Sequence, residues 1–180
     1  DITGDPIEGT LAFEDLWPSQ GDYDMNDVVV AYSTTFTTDK DNKLIAMKDV
    51  FTPLHSGGSL KSAFGYQLDL PTTVKNVTID HFSSSAQTVG GLESNQSKAV
   101  IMLFDDIHQA VAQGPITVVT ELDGSVSMDK TTRKSLYNPF VCVSSEGFVP
   151  GVLRKEVHLT NYAPTLLADP YPFGRNDDKS

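Results

Sequence analysis

The sequence is short of cysteine, since Cys142 is the single one among 180 residues. An internal disulfide and a cysteine-rich metal site are therefore excluded. Its apolar neighbours, Phe140, Val141 and Val143, indicate a buried, small hydrophobic residue and not a reactive thiolate. A chain of this length buries about 70% of its unfolded surface, so it can form a core without disulfides or structural zinc.

Basic residues and long apolar runs are also scarce. Lys and Arg number 13 against 24 Asp and Glu, which gives a formal net charge of −11. Nucleic acid and anionic membrane surfaces are poor partners for such a chain, because clustered Lys and Arg bind phosphate groups. The apolar runs at 28–32 and 99–104 are far shorter than the ~20 residues of a membrane span. We therefore expect divalent cations and basic groups as partners, without membrane insertion.

Short segments with a two-residue period dominate what is present. Val, Thr and aromatic residues fill 27–38, and Phe64, Tyr66, Leu68 and Leu70 share one face of 63–70. Further strands are predicted at 44–51, 74–82, 98–104, 115–122, 139–143 and 153–159, with short helices possible at 106–112 or 129–137. Turn residues separate these segments. The pattern is typical of an all-β sandwich or barrel. We expect one domain over 1–180, a jelly-roll-like β-sandwich with long loops.

One stretch concentrates oxygen-bearing side chains. Its carboxylates and amides are Glu14, Asp15, Gln20, Asp22, Asp24, Asn26 and Asp27. Two like charges about 4 Å apart repel each other by about 4 kcal/mol at an effective dielectric constant near 20. Calcium offsets such repulsion, because it accepts about six to eight oxygen ligands in an irregular shell. The sequence therefore predicts a Ca²⁺ site in this loop.

The spacing of this loop resembles the first half of an EF-hand. Asp22, Asp24 and Asn26 occupy alternate positions, as in Asp-x-Asp-x-Asn. The second half differs, because Asp27 stands where glycine is required and Ser33 where a bidentate glutamate is required.

An apolar segment follows the loop and predicts a strand in place of the exiting helix. The missing ligands must then come from elsewhere, Glu14 or Asp15 being nearest in sequence. The alternative is an acidic turn whose Asp and Asn side chains bond the local backbone.

Other acidic positions are weaker candidates. Glu156 and His158 share one face of a predicted strand, which suits a transition metal or, more commonly, an ion pair. Asp105-Asp106, with His108 beyond, suits a metal site or a solvated strand end. The sequence contains no nucleophile elbow, zinc-protease motif, phosphate-binding lysine loop or dinucleotide-binding glycine motif. We therefore do not expect an enzyme.

The segments 13–18 (FEDLWP) and 21–30 (GDYDMNDVVV) closely resemble the opening of the LruC domain, found in surface and secreted bacterial proteins. Collinear matches follow at 57–58, 63–68, 103–106, 138–141, 156–159, 164–165 and 177–180. The LruC pattern continues beyond its Asp-Asp-x-Ser motif with an aromatic and proline-rich stretch, whereas this sequence stops at Ser180. We expect either a trimmed domain or a second piece that completes it.

Such domains also resemble the calcium-dependent peptide-binding modules of bacterial RTX adhesins, which hold their ligand beside calcium. The resemblance implies metal ligation by Asp22, Asp24, Asn26 and Asp27, with Asp15 as a helper. It also implies that Glu156, Asp177 and Asp178 are candidates for the same neighbourhood. Independently of it, Trp17, Tyr23 and Tyr162 flank the acidic and terminal loops, where they could form an aromatic ligand-binding floor, although Trp17 equally suits the core.

These observations predict a calcium-dependent, extracellular module of a bacterial surface adhesin that binds a peptide or protein, as a monomeric part of a larger protein. A ligand carboxylate would fill open calcium positions. A site with a dissociation constant of roughly 10⁻⁴–10⁻³ M is filled outside the cell and empty in cytosol. The alternatives are a carbohydrate-binding module, with aromatic residues stacked on sugars, and a module that calcium merely rigidifies.

Overall fold

A computed structural model describes residues 1–69, 73–81, 84–129, 132 and 136–172. Within these ranges the chain forms antiparallel strands and a short helix. The elements in chain order are β1 (Ile2–Thr3), β2 (Ile7–Phe13), β3 (Val28–Thr38), β4 (Leu44–His55), β5 (Lys61–Leu68), β6 (Val74–Asp80), β7 (Thr88–Val89), β8 (Leu92–Glu93), β9 (Val100–Phe104), α1 (Ile107–Gln113), β10 (Ile116–Leu122), β11 (Tyr137–Ser144) and β12 (Lys155–His158).

The first sheet is built around β3. One edge of β3 pairs with β2 and then with β1, and its other edge pairs with β4, which continues to β10 and β6. The alternation of β3 turns Val28, Val30 and Phe36 into the core. Register places Phe13 opposite Val28, so residues 14–27 form the loop that joins two directly paired strands.

The second sheet has the order β12-β11-β5-β9, and both of its faces are covered. Phe64 and Tyr66 point into the core between the sheets, whereas Ala63, Met102 and Cys142 pack on the outer face beneath Phe148. Cys142 is a buried free cysteine, as predicted, and burial raises the pKa of its thiol. Covering both faces explains why β5, β9 and β11 are buried along nearly their whole length.

Aromatic side chains link the two sheets through the core. The Phe51 ring lies 5.6 Å from that of Phe64 and 5.3 Å from that of Tyr66, which in turn lies 5.5 Å from Tyr137. Such tilted and edge-to-face contacts add to the burial of large apolar surfaces. The predicted all-β sandwich with at most short helices is confirmed.

The predicted strands correspond to β3–β6 and β9–β12, with ends shifted by a few residues. The helix possible at 106–112 is α1. Asp106 caps its N-terminus by accepting a hydrogen bond from the His108 amide at 2.9 Å. The alternative at 129–137 overlaps β11 at Tyr137 and otherwise lies mostly outside the described residues. Sequence reasoning missed the strands β1, β2, β7 and β8. In the described part of the chain, no helix has the length and apolar character to cross a membrane.

Candidate metal centre

The acidic loop of residues 14–27 is closed at its base by the pairing of β2 with β3. Left-handed backbone at Tyr23 (φ 56°) and Met25 (φ 54°) bends the chain between successive acidic and amide residues. Such conformations are uncommon for non-glycine residues. The loop therefore curves back towards its own start, where Glu14 and Asp15 follow β2.

Three carboxylates from the two ends of this loop meet beneath the surface. Oxygen atoms of Glu14, Asp15 and Asp27 lie within 4.8 Å of one another. Their residues are only 3%, 4% and 8% exposed. The Asp15 amide donates to Asp27 Oδ2 at 2.9 Å, which fixes the two ends of the loop relative to each other. We call these three residues the buried group.

A second set of carboxylates shares Glu14 with the buried group. Oxygen atoms of Glu14, Asp22 and Asp24 also lie within 4.8 Å of one another, but Asp22 and Asp24 are exposed. Asn26 Nδ2 donates to Asp24 Oδ2 at 2.6 Å and so orients that carboxylate. We call Glu14, Asp22 and Asp24 the open group, because solvent reaches two of its members.

Burial and mutual repulsion disfavour ionisation in this loop. Burial, together with a hydrogen bond and charge from Asp27, raises the pKa of Glu14 from 4.5 to about 7. Burial and the charge of Asp27 also raise the pKa of Asp15, while the charge of Lys155 opposes this shift. Lys155 Nζ donates to the Asp15 carbonyl oxygen at 2.8 Å. One ammonium group does not balance the acidic side chains gathered here, so the loop has a strong excess of negative charge.

One oxygen of the buried group has no compensation within the described residues. Glu14 Oε2 is buried and accepts no hydrogen bond there. A buried carboxylate oxygen left unpaired is costly, and such atoms are rare in folded proteins. Within the described part of the chain, this oxygen therefore has an unused acceptor position in a group that also contains Asp15 and Asp27.

Two glycines close the acidic loop from the end of β4. The Gly57 amide donates to the Asn26 carbonyl oxygen at 3.0 Å, and a Cβ at Gly57 would collide with Asn26 Oδ1. A Cβ at Gly58 would lie 2.5 Å from Asp15 Oδ2 and 2.8 Å from Asp27 Oδ1. Only residues without side chains can approach the carboxylates this closely.

A serine and a histidine hold the glycine segment in place. The Ser56 hydroxyl lies 2.8 Å from His108 Nδ1, and His108 Nε2 lies 3.2 Å from the Leu60 carbonyl oxygen. These contacts tie both ends of the segment to α1. Among the weaker candidates at 105–108, Asp105 accepts hydrogen bonds from Ser84 and Ser85, and Asp106 accepts one from the His108 amide.

The donor set fits a hard divalent cation. Oxygen atoms that surround one calcium ion at about 2.3–2.6 Å lie at most about 5 Å apart, which the spacing in both groups satisfies. Carboxylate ligands suit calcium or magnesium, and neither group includes a histidine or cysteine. Of the predicted ligands, Asp15 and Asp27 lie in the buried group and Asp22 and Asp24 in the open group, while Glu14, suggested as a source of missing ligands, belongs to both. Asn26 lies at the edge of the site, between Asp24 and Gly57.

The structure does not place Glu156 with these ligands. Adjacent residues of β12 face opposite sides of the sheet, so Lys155 reaches the acidic loop while Glu156 points to the outer face. There Glu156 Oε1 accepts from Arg154 Nε at 2.9 Å, and Oε2 lies 2.8 Å from His158 Nε2. The Thr165 amide and hydroxyl donate to the same carboxylate. Glu156 thus lies apart from the ligands with which the resemblance grouped it, in an ion pair with Arg154 and in hydrogen-bond contact with His158.

Arg154 is the cation of this outer-face network. Its Nη2 atom donates to Glu93 Oε2 at 2.9 Å, and its guanidinium lies 5.6 Å from the centre of the Phe140 ring. Although burial opposes ionisation of Glu156, the hydrogen bond from His158 and the charge of Arg154 lower its pKa. The carboxylates here are satisfied by the protein itself.

The remaining predicted site residues are dispersed. Trp17 is partly buried against the core, and Tyr23 is 44% exposed in the acidic loop. Tyr162 lines a pocket between the two sheets. Asp177 and Asp178 lie outside the described residues.

The geometry defines an all-β sandwich domain with an acidic, cation-sized loop between two paired strands. Residues 42–180 match the family named Domain of unknown function (DUF4842), and the chain belongs to that family. The acidic loop precedes the matched range. No curated protein gives a significant match.

A solved structure has a similar fold. It is a protein of Bacteroides ovatus described as a "putative lipoprotein", with a TM-score of 0.54 and 16% sequence identity. The match covers 89% of this chain and 56% of that one, so this chain spans little more than half of its neighbour. At this identity the likeness shows the fold alone.

Proposed function

We propose that this domain is a calcium-dependent binding module that acts outside the cell. The observation that carries the proposal is Glu14, which is 3% exposed, lies beside Asp15 and Asp27, and has an oxygen with no hydrogen-bond partner in the described residues. A calcium ion would supply the missing contact and neutralise the repulsion that raises the pKa of Glu14. The sequence resemblance to LruC and RTX adhesin modules supports the same reading.

The two carboxylate groups would have different tasks. Because Glu14, Asp15 and Asp27 are buried, a cation held there would order the loop and reach few other ligands. Asp22 and Asp24 are exposed, so a cation held with Glu14 would keep positions for oxygens from outside. A carboxylate of a peptide or protein ligand is the chemistry that best fills such positions. We propose that the module binds such a ligand and does not turn it over.

The location outside the cell follows from the affinity expected of such a site. Extracellular modules bind calcium with dissociation constants of about 10⁻⁴–10⁻³ M. Only extracellular fluid contains enough calcium to fill a site of this affinity. The structural neighbour described as a lipoprotein supports a bacterial cell surface, where the module would belong to an adhesin.

A module that calcium only rigidifies is the second candidate. Lys155 of the second sheet donates to the Asp15 carbonyl oxygen, so ordering the loop would also brace the two sheets against each other. This role requires calcium in the buried group but no ligand at the open group. Carbohydrate remains an alternative ligand, and exposed Tyr23 beside the open group offers a ring for stacking.

The decisive experiment is calorimetric titration of calcium into chelator-treated protein. Asp27→Asn tests the buried group, Asp24→Asn tests the open group, and Asp41→Asn is a matched control at an exposed turn position. We expect Asp27→Asn to weaken binding at least tenfold (~1.4 kcal/mol). We expect Asp24→Asn to weaken calcium binding at the open group only. We expect Asp41→Asn to leave calcium binding unchanged. Identical isotherms for Asp27→Asn and Asp41→Asn would refute the calcium site.

Ligand class is tested separately with a peptide library and a glycan array, each probed in calcium and in chelator. Calcium-dependent peptide binding that Asp24→Asn removes is the expected result. Glycan binding without peptide binding would favour the carbohydrate module. No binding in either assay, together with a calcium-dependent rise in melting temperature, would favour the rigidifying role.

A further inference from the structure

A pocket of about 290 Å³ opens between the two sheets, and none of its lining residues belongs to the acidic loop. Ile7 and Leu11 of β2 line it from the first sheet, and Leu159 and Tyr162, which follow β12, line it from the second. These residues are exposed or half-buried. The volume lies near the lower end of the ~300–1,000 Å³ typical of small-molecule sites.

The buried wall of the pocket is built on Asp49. This carboxylate is fully buried, and it accepts hydrogen bonds from Thr34 Oγ1 and the Tyr137 hydroxyl at 2.7 Å and from the Tyr66 hydroxyl at 3.3 Å. Thr34, Tyr66 and Tyr137 all line the pocket. Each of these hydroxyls donates its hydrogen to Asp49. Towards a ligand, the hydroxyl oxygens can therefore only accept hydrogen bonds.

Asp49 has no positively charged partner among the described residues, where its contacts are the three hydroxyls. Burial raises its pKa to about 6, against the opposing effect of these hydrogen bonds, so the group is mainly ionised at neutral pH. An uncompensated negative charge therefore lies directly behind a wall of hydrogen-bond acceptors.

Aromatic rings form much of the remaining wall, including Tyr32, Phe36 and Phe51. Ring faces attract cations as well as apolar groups. The pocket thus combines apolar walls, acceptor oxygens and a nearby anion, and all three features favour the same ligand chemistry.

We propose that the pocket between the sheets binds a small amphipathic amine, with its apolar body against the aromatic walls and its ammonium group at the oxygen of Tyr137, which is half-buried, whereas Tyr66 is fully buried. Charge complementarity with Asp49 sets this choice. A carboxylate of the same size would meet acceptors and a negative charge, and it is excluded for that reason. The site is independent of the proposed calcium loop.

Three probes of similar size test the charge preference: 2-phenylethylamine, 2-phenylethanol and phenylacetate. Each is titrated at neutral pH while the ring resonances of the tyrosines and the methyl resonances of Leu11 are followed by NMR. We expect the amine to bind at least tenfold more tightly than the carboxylate, with the alcohol between them. Equal affinities, preference for the carboxylate, or no shifts with any probe would overturn the proposal.

Variants place the binding in the pocket. Leu11→Trp fills the space and should abolish amine binding, whereas Val111→Trp, on the exposed face of α1, should not. Asp49→Asn should reduce amine affinity to that of the alcohol. If Asp49→Asn does not fold, Tyr137→Phe removes one acceptor and should weaken the amine more than the alcohol. Amine binding retained by Leu11→Trp would overturn the assignment. Asp27→Asn should keep amine binding, which separates this site from the calcium loop.

Discussion

Two sets of buried carboxylates lie on opposite sides of β12, and they differ in how far protein groups neutralise their charge. On the outer face, Glu93 and Glu156 are paired with Arg154, which donates to both. In the acidic loop, Glu14 and Asp27 repel each other, and Lys155 reaches only a backbone oxygen. The protein completes the first set internally and leaves the second with an excess of negative charge.

The contrast distinguishes carboxylates that the protein itself pairs from those for which we propose a bound cation. A buried charge is usually paired, hydrogen-bonded or bound to a metal, or it is neutralised by a shift of its pKa. The carboxylate of Glu156 has protein donors at both oxygens, whereas Glu14 Oε2 has none in the described ranges. The number of protein donors, and not acidity or burial alone, is therefore the feature that separates the two sets.

The largest predicted effect comes from removing the Arg154 guanidinium from the outer-face network. Arg154→Met should leave Glu93 and Glu156 buried and without their main partner, and loss of one partner from a buried pair costs about 3–5 kcal/mol. The loss of stability, measured by denaturant unfolding, should be the same in calcium and in chelator.

Lys98→Met is the matched control for this change. It breaks the ion pair of Lys98 with Asp69, in which the lysine side chain is 49% exposed, and such pairs contribute less than about 1 kcal/mol. Similar losses for the two variants, or a calcium-dependent loss for Arg154→Met, would contradict the contrast between the two regions.

The second prediction concerns the pH dependence of the acidic loop. In chelator, Glu14 keeps its proton to about pH 7 in the folded chain, but only to about its ordinary pKa of 4.5 when unfolded. The folded state then binds more protons, so stability should fall as pH rises through this interval, by up to about 1.4 kcal/mol per pH unit. Thermal unfolding across this range measures the slope.

Two further measurements test whether Glu14 causes this pH dependence of stability. Glu14→Gln should remove the decline between about pH 6 and 7, while the contribution of Asp49, with its pKa of about 6, persists at lower pH. Calcium should stabilise the protein more above pH 7 than at pH 5, because it replaces protons. Stability that rises with pH in chelator would be the opposite of the expected sign.

The smallest predicted effect comes from the glycine segment over the acidic loop. Gly58→Ala places a methyl group against Asp15 and Asp27 and should weaken calcium binding several-fold, about 1 kcal/mol, with the fold retained. Gly4→Ala is the control, because its Cβ would approach nothing nearer than the Phe36 carbonyl oxygen at 3.8 Å. Unchanged affinity in Gly58→Ala would show that the ligands do not need this close approach.

Much of the sandwich could be predicted because its strands have regular alternation, as in β3, or continuous apolar character, as in β9. β2 was missed although Ile7, Leu11 and Phe13 alternate with other residues, since Gly9 interrupts the apolar face. Asp49 was missed as well. Its signal was a carboxylate at an inward position of β4, two residues from Met47 and two from Phe51.

The acidic loop was predictable because its ligands are neighbours in sequence, and both residues suggested for the missing ligands, Glu14 and Asp15, lie in the site. The position of Gly57 and Gly58 over these carboxylates depends on how β4 ends, which spacing does not determine. Glu156 was misplaced because its partners, Glu93 and Thr165, are far away in sequence. Pairings of that kind depend on tertiary packing.

The four residues of β12 carry contacts to both carboxylate sets, through Lys155 on one face and Glu156 on the other. A pulling force applied beyond His158 would peel this short strand from β11. The same step would detach Lys155 from the acidic loop and Glu156 from Arg154. Mechanical load on this side of the domain would thus act on both regions together, so tension would alter the affinity of the acidic loop for the cation that we propose it binds.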